Sequence, residues 1–360
     1  MNALHLIHTP RHSGAEILVR DLCLMHQAEG VNCAIASFEP CEPHFLDEER
    51  WLANAGVKLF FPPKRLTKYE RVAHFKRVFS IFGPSVILAH SVLPSFYGRM
   101  ALPFIKAHGR FITVLHSANN DDISTAPAVI AERVLRFRQN AVVAVSEEGQ
   151  QNYMRRFGDR IPVELIQNGI SLSRFRSIDR PTARRKFGLG EGNKLFLQVG
   201  RIDDVKQQHV SLRGLAGLLR QGGAELWFAG LTEDANYEAD LRELALQEGV
   251  LRSVRFLGSR DDVPELLAAA DLYLMPSRAE SQGIALLEAL ASGVPTIASE
   301  IPAFKFAGKM PGVALVGLGD WEAIGAQSGS LIKLGRFHRD LDQYEINITA
   351  RKYKNIMGLL

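Results

Sequence analysis

Short apolar runs recur along the chain, each followed by a longer segment whose apolar positions return at helical spacing. The runs at 3–8, 31–37, 57–61, 85–90, 110–116, 141–145 and 163–166 predict strands, with helices between them; the first helix closes at Gly30. Ser146 is placed to cap a helix that runs to Phe157, and Asn168-Gly169 makes a turn. The rhythm resumes with strands at 194–200, 225–230, 254–258 and 272–276 and helices over 237–248 and 263–270. Strand alternating with helix is the pattern of a doubly wound parallel sheet. A chain of 360 residues is too long for one ordinary core. The expectation is therefore α/β, with two Rossmann-like parallel-sheet domains at 1–172 and 193–336. The polar, basic stretch 173–192 is expected to be a linker, and 321–360 to hold two helices.

The segment 272–299 carries the densest signals. An apolar strand leads into a polar loop, then a helix over 283–292. Ser281 is available as N-cap, Gly293 stands where a left-handed C-terminal residue belongs, and Pro295 follows. Glu280 lies in the loop at the strand's C-terminal end, where open α/β sheets hold ligands. Glu288 is the only charged residue between Glu280 and Glu300, flanked by Leu286, Leu287, Ala289 and Leu290. A buried carboxylate requires a partner, either a structural cation or a ligand. The helix start, Ser281-Gln282-Gly283-Ile284, offers unpaired backbone N–H groups and the positive end of the helix dipole to a phosphate.

Other candidates sit at predicted strand ends. Gly200, Arg201 and Lys206 follow the strand at 194–200; their charges are either solvated or fixed cations for an anionic group. Ser13 and Gly14 open the first helix, where a glycine allows close backbone approach or simply makes the turn. His90 and His116 each end a strand, and Leu257-Gly258 follows another. In 64–82, six basic residues face the single acid Glu70, while Val72, Phe75, Phe79 and Phe82 recur at helical spacing. Such a helix either lies on an anionic membrane or packs its aromatics into the core. Arg133, Arg136 and Arg138 are candidates to extend the same basic face.

Glu280 and Glu288, with the Ala-Leu-Ala-Ser-Gly-Val-Pro-Thr-Ile-Ala-Ser run behind them, resemble the signature of glycosyltransferase family 4. That resemblance implies a GT-B fold, two Rossmann-like domains facing a cleft, with 337–360 crossing back to the first domain. It implies a retaining, metal-independent hexosyltransferase that takes a nucleotide sugar as substrate and needs no cofactor. Arg201 and Lys206 look like the family's diphosphate clamp, Glu280 would hold donor-sugar hydroxyls and Glu288 the ribose. Ser13 and Gly14 would lie beside the donor phosphates, His116 would face sugar and acceptor, and Leu257-Gly258 would cup the base. A UDP-sugar is the favoured donor, with a GDP-sugar the other; a glycan or lipid-linked acceptor of envelope or exopolysaccharide synthesis is expected. The chain departs from the family's frequent pattern at Ser281, Gln282 and Gln207. A sugar-nucleotide epimerase or a non-catalytic nucleotide-sugar-binding subunit are the alternatives.

Composition narrows the field. With 46% hydrophobic and 23% charged residues the chain is an ordinary globular protein, and a net charge of +4 does not point to nucleic acid. Cys23, Cys33 and Cys41 have no metal-ligand spacing and read as reduced thiols. No G-x-G-x-x-G opens a helix, which argues against a dehydrogenase. Residues 1–9 lack the features of a secretion signal, and no apolar run approaches the roughly 18–20 residues of a membrane span. A cytoplasmic protein, free or peripheral on the membrane, is expected.

Overall fold

A computed structural model describes residues 1–102, 109–117, 123 and 125–358. The chain forms two compact units, Met1–Gly169 with Ile346–Leu360, and Ile170–Glu345.

In the first unit, β1 (Asn2–Leu6), β2 (Asn32–Ala36), β3 (Lys58–Phe60), β4 (Val86–His90), β5 (Arg110–Leu115), β6 (Ala141–Ala144) and β7 (Val163–Leu165) form one parallel sheet, in the order β3-β2-β1-β4-β5-β6-β7. Interior strands covered on both faces read as unbroken apolar runs, and β4 is buried along its whole length. The helices are α1 (Gly14–Ala28), α2 (Leu46–Asn54), α3 (Lys68–Phe82), α4 (Val92–Ala101), α5 (Ala126–Leu135) and α6 (Glu147–Phe157). Ser146 caps α6 by accepting from the Gly149 N–H at 3.2 Å. Helix α3 opens on a reciprocal Thr67–Glu70 capping box and ends at the left-handed Gly83. Its Phe75, Phe79 and Phe82 pack into the core beside β1, β2 and β4, so the aromatic stripe faces inward.

The second unit begins with α7 (Leu172–Arg176) and α8 (Arg180–Lys186). The stretch 173–192 expected as a linker is thus folded: Phe175, Ala183 and Leu189 belong to the second unit's core. Strands β8 (Lys194–Val199), β9 (Ala224–Ala229), β10 (Val254–Phe256), β11 (Leu272–Met275), β12 (Thr296–Ser299) and β13 (Val313–Val316) form a second parallel sheet, in the order β10-β9-β8-β11-β12-β13. Around them lie α9 (Gln208–Arg220), α10 (Ala235–Gln247), α11 (Val263–Ala269), α12 (Ile284–Ser292) and α13 (Trp321–Leu331). Between β8 and β9, and between β11 and β12, a right-handed parallel crossover requires an intervening helix; α9 and α12 supply it.

The last helix, α14 (Ile346–Met357), belongs to the first unit, where Ile346, Ala350, Tyr353, Ile356 and Met357 join the core beneath α1. The His26 ring and the Ala350 carbonyl are 3.1 Å apart. The expected return of 337–360 is therefore shorter: residues up to Glu345 stay with the second unit, with Leu341 and Tyr344 in its core. Among the described residues, no helix is long and apolar enough to cross a membrane.

Candidate active site

The C-terminal ends of β8, β9 and β10 are closed by three glycines in close succession. The Gly200 N–H donates to Ala229 at 2.9 Å, and the Gly230 N–H donates to the Gly258 carbonyl at 2.8 Å. A Cβ on Gly230 would lie 1.9 Å from the Gly200 carbonyl oxygen, so only glycine fits there. A bridge between Ile202 and Thr232 continues the approach of the two loops. Leu257 and Gly258 therefore lie at the same end of the sheet as Gly200, one strand beyond Gly230, and Gly258 adopts a left-handed φ of 67°.

The loop from Gly200 to Gln207 is held from below. Buried Gln198 donates to the Lys206 carbonyl at 2.7 Å and accepts from Ser211 at 2.7 Å; buried Gln208 donates to the Arg201 carbonyl at 2.6 Å. Gln207 has a left-handed φ of 50°, a conformation that glycine adopts freely and a larger side chain adopts at a cost. The stem of Lys206 lies over Gly200; a Cβ there would be 3.5 Å from its Cδ and Cε.

The loop after β11 joins this one. The Arg278 N–H donates to the Val205 carbonyl at 2.8 Å, and its guanidinium pairs with Asp204 at 2.7 Å. Lys206 and Glu280, both largely buried, form an ion pair. Arg201 is more exposed and pairs with Glu233 at 2.5 Å and Asp203 at 3.3 Å. Tyr273, fully buried in β11, has its hydroxyl 3.4 Å from the Val199 carbonyl. Burial raises its pKa well above the usual value, and the carboxylates of Glu288 and Glu280 add to the rise. Tyr273 thus lies close to both acids. An apolar strand gave no reason to single it out, since its partners come from separate loops and a helix.

Helix α12 departs from expectation at its start. Ser281 is not the N-cap; Gly283 holds that position with a left-handed φ of 76°, and its carbonyl accepts from the Leu286 and Leu287 N–H groups. A Cβ on Gly283 would lie 2.4 Å from the Phe304 ring, which accounts for the glycine. Gln282 is buried, while Ser281, Ile284 and Glu288 are partly exposed, so Glu288 is not sealed in the core. The far end of α12 is held by two arginines, Arg339 buried and Arg336 partly so. Arg339 donates to the carbonyls of Leu290, Val294 and Pro311 at 3.0–3.1 Å, and Arg336 donates to Ser292 at 3.2 Å and to Ala270 at 2.6 Å. These cations satisfy the carbonyls left open where α11 and α12 end.

Ser13, Gly14 and His116 belong to the first unit. Ser13 is the N-cap residue of α1, and its hydroxyl bonds the buried Glu16 carboxyl, whose pKa burial raises. His116 follows β5 and is hydrogen-bonded to His90. Among the described residues, no cluster of three His, Cys, Asp or Glu could hold a metal ion.

Residues 12–174 match the family described as Glycosyltransferase Family 4, and residues 179–346 match Glycosyl transferases group 1. A D-inositol 3-phosphate glycosyltransferase of Nocardia farcinica is 31% identical over 220 residues, 58% of this chain and 49% of the relative. An N-acetyl-alpha-D-glucosaminyl L-malate synthase of Bacillus anthracis is 24% identical over 294 residues, 79% of this chain and 74% of that one. The chain therefore spans about half the length of the first relative and three quarters of the second. Among solved structures, Anabaena Alr3699/HepE in complex with UDP-glucose superimposes over 100% of both chains, with a TM-score of 0.82 at 18% identity. WaaG, a glycosyltransferase involved in lipopolysaccharide biosynthesis, covers 99% of this chain and 96% of its own, with a TM-score of 0.69 at 17% identity. The two parallel-sheet units share the GT-B fold with these structures.

Proposed function

Because this chain belongs to the group 1, family 4-like glycosyltransferases, we propose that it moves a hexose or N-acetylhexosamine from a nucleotide sugar to a glycan or lipid-linked acceptor, with retained anomeric configuration. UDP is the favoured nucleotide, supported by the likeness to a structure holding UDP-glucose. The observation that carries the reading is the Lys206–Glu280 pair over Gly200, with Arg201 in the same loop.

When a glycosidic bond to a nucleoside diphosphate breaks, negative charge builds on the leaving phosphate, and cations fixed nearby favour that state over the ground state. Lys206 and Arg201 would take this charge, with the start of α12 adding its backbone N–H groups. Glu280, exchanging Lys206 for the donor, would hold sugar hydroxyls, and Glu288 the ribose. Gly200, Gly258 and Leu257 would line the nucleotide's approach; Ser281, Gln282, Gly283 and Ile284 would meet the phosphates. In the first unit, Ser13 and Gly14 are assigned to the donor and His116 to the sugar or acceptor. The acceptor oxygen bonds to the anomeric carbon on the face the phosphate leaves, and its proton passes to the departing phosphate oxygen. In this reading the two cations take the charge a metal would otherwise neutralise, and activity should survive a chelator.

The acceptor class suggests work at a membrane surface from the cytoplasmic side. With the α3 aromatics in the core, the apolar contact falls instead to α5 and the turn after it. Ile130 and Val134 of α5 and Phe137 of the turn after it are 60%, 57% and 70% exposed, with Arg133 among them in sequence and the Arg138 guanidinium 5.3 Å from the centre of the Phe137 ring. Helices α3, α4 and α5 pack in that order, so the exposed Lys68, Lys76 and Arg77 of α3 extend the basic surface.

The test is turnover of UDP-, GDP- and ADP-sugars by the purified chain, with the same panel in thermal shift. A ligand at 100 times its dissociation constant stabilises by about 2.7 kcal/mol. Transfer or slow donor hydrolysis with net retention supports the reading. An epimer formed from the donor alone, or binding without any turnover, contradicts it.

A further inference from the structure

The carboxyl edge of the first unit's sheet gathers charged and aromatic side chains that the donor chemistry does not use. His8 follows β1, Phe38 and Glu39 follow β2, Arg65 and Arg71 follow β3, and Tyr97 lies in α4 after β4. These strands are neighbours in the order β3-β2-β1-β4, and open α/β sheets hold ligands outside such strand ends. Glu39 is buried, and its Oε1 accepts from both arginines, Arg65 Nε at 3.1 Å and Arg71 Nη2 at 3.0 Å. Arg71 is held on further sides. Its Nε donates to the Leu66 carbonyl at 3.1 Å, and its guanidinium carbon lies 4.3 Å from the centre of the Phe38 ring and 5.3 Å from that of Tyr97. The His8 ring meets Phe38 edge to face, with centroids 4.7 Å apart.

One buried carboxylate is balanced by one cation, and Arg71 already supplies it. Arg65 is a second guanidinium on the same oxygen, so the trio carries an excess of positive charge. The excess is felt at His8: burial and the charges of Arg71, Arg11 and Arg65 lower its pKa to about 4. Glu39 engages Arg65 through Nε, and that side chain is 77% exposed, which leaves its two terminal nitrogens able to take a pair of oxygens. Guanidinium forks match phosphate oxygens in this way, and a fork already stacked on rings loses little freedom when it binds. A neutral sugar hydroxyl makes no use of the excess charge, whereas a phosphoryl group does.

We propose that Arg65 and Arg71, with His8 beside them, form a phosphoryl-binding subsite in the first unit, and that the acceptor carries the phosphoryl group. The attribution to the acceptor rests on the transferase reading; the binding itself does not.

The probe is inorganic phosphate, titrated into the ¹⁵N-histidine-labelled full chain and followed by ¹H–¹⁵N correlation of the imidazoles, with His8 assigned by loss of its signals in His8→Asn. The titration is repeated in Lys206→Ala, where the donor loop lacks its cation. Saturable movement of the His8 signals in both proteins is expected, and signals that stay still overturn the proposal. Arg71→Gln should weaken phosphate about tenfold, the loss of one charge-assisted hydrogen bond. Arg65→Gln, at an exposed side chain whose change spares the fold, should weaken it about threefold. Unchanged affinity in the folded variants overturns the proposal. Acetate at equal ionic strength should bind about tenfold more weakly, and equal binding overturns the phosphoryl assignment. Competition then identifies the source. Displacement by farnesyl diphosphate supports a lipid-linked acceptor and displacement by glucose 1-phosphate a soluble one. Displacement by phosphatidylglycerol vesicles alone makes this a bilayer contact and overturns the acceptor assignment. If His8 responds as expected while no nucleotide sugar is turned over, the subsite stands and the transferase reading falls.

Discussion

The ammonium of Lys206 and the carboxylate of Glu280 meet although 74 positions separate them in the chain. One lies in the loop after β8 and the other in the loop after β11, and these strands are neighbours in the sheet. Removing the cation should weaken the hold on the leaving diphosphate more than the fold. Lys206→Ala is expected to lower turnover about a hundredfold, the usual effect of losing one such donor. Its melting temperature should stay close to that of the parent. Full activity in the folded variant would contradict the assignment.

The strand-end glycines carry a stability prediction. Gly230→Ala places a methyl 1.9 Å from the Gly200 carbonyl, which rigid backbone cannot accommodate. A loss of several kcal/mol, on the order of 3 or more, is expected in urea titration. Gln207→Gly relieves a left-handed non-glycine residue while adding freedom to the unfolded chain, terms of about 1 kcal/mol each. It should leave the urea midpoint nearly unchanged, and a large drop would show that the Gln207 side chain itself supports the loop.

Arg339 is buried among carbonyls of α12 and the segment before β13. Arg339→Met keeps the apolar stem and removes the donors, leaving at least three carbonyls without partners. Each unsatisfied buried group costs about 1–3 kcal/mol, so a loss of about 3 kcal/mol or more is expected. Calorimetry checks it, and a variant as stable as the parent would rule out the capping role.

Acid should destabilise the protein through its buried histidines. Burial lowers His5 to about 3 and His8 and His116 to about 4, with the charges of Arg71, Arg11 and Arg65 also lowering His8. Their unfolded values lie near 6.5. Above that pH neither state binds the protons. Below it the unfolded chain takes them up and the folded chain does not, so stability falls as pH drops from about 6.5 toward 4. Glu16, raised by burial, opposes this as a single group. Urea midpoints at pH 7.5, 6 and 5 should decline in that order; equal midpoints would count against neutral histidines in the native state.

The surface prediction distinguishes α5 from α3. Ile130→Ser, Val134→Ser and Phe137→Ser together should abolish sedimentation with anionic vesicles while sparing turnover of a soluble acceptor analogue. Charge reversal at Lys76 and Arg77 should weaken sedimentation in a salt-dependent way. If the serine variant still binds vesicles as the parent does, α5 is not the membrane contact.

Much of this architecture was legible in the chain because parallel strands buried on both faces leave unbroken apolar runs. Ser146 capped its helix as expected because its hydroxyl acts on a neighbour three residues away. The misread features depend on distant partners. The 173–192 stretch looks solvent-facing because Arg180, Arg184 and Lys186 are charged, yet their partners are Asp271, Asp262 and Glu265, far along the sequence. Ser281 looked like a cap because nothing local reveals that Phe304 presses on Gly283. The reach of Lys206 to Glu280 could be suspected from strand ends, but the nearness of Tyr273 to both acids could not.

The return of α14 to the first unit sets an order of events during synthesis. When Gly169 has left the ribosome, the groove that Tyr353 and Met357 will fill is still open. It stays so until the whole second unit has been made, a delay on the order of ten seconds or more at translation speeds of about 5–20 residues per second. The half made first is finished last, and through that interval its apolar groove is a ready client for chaperones.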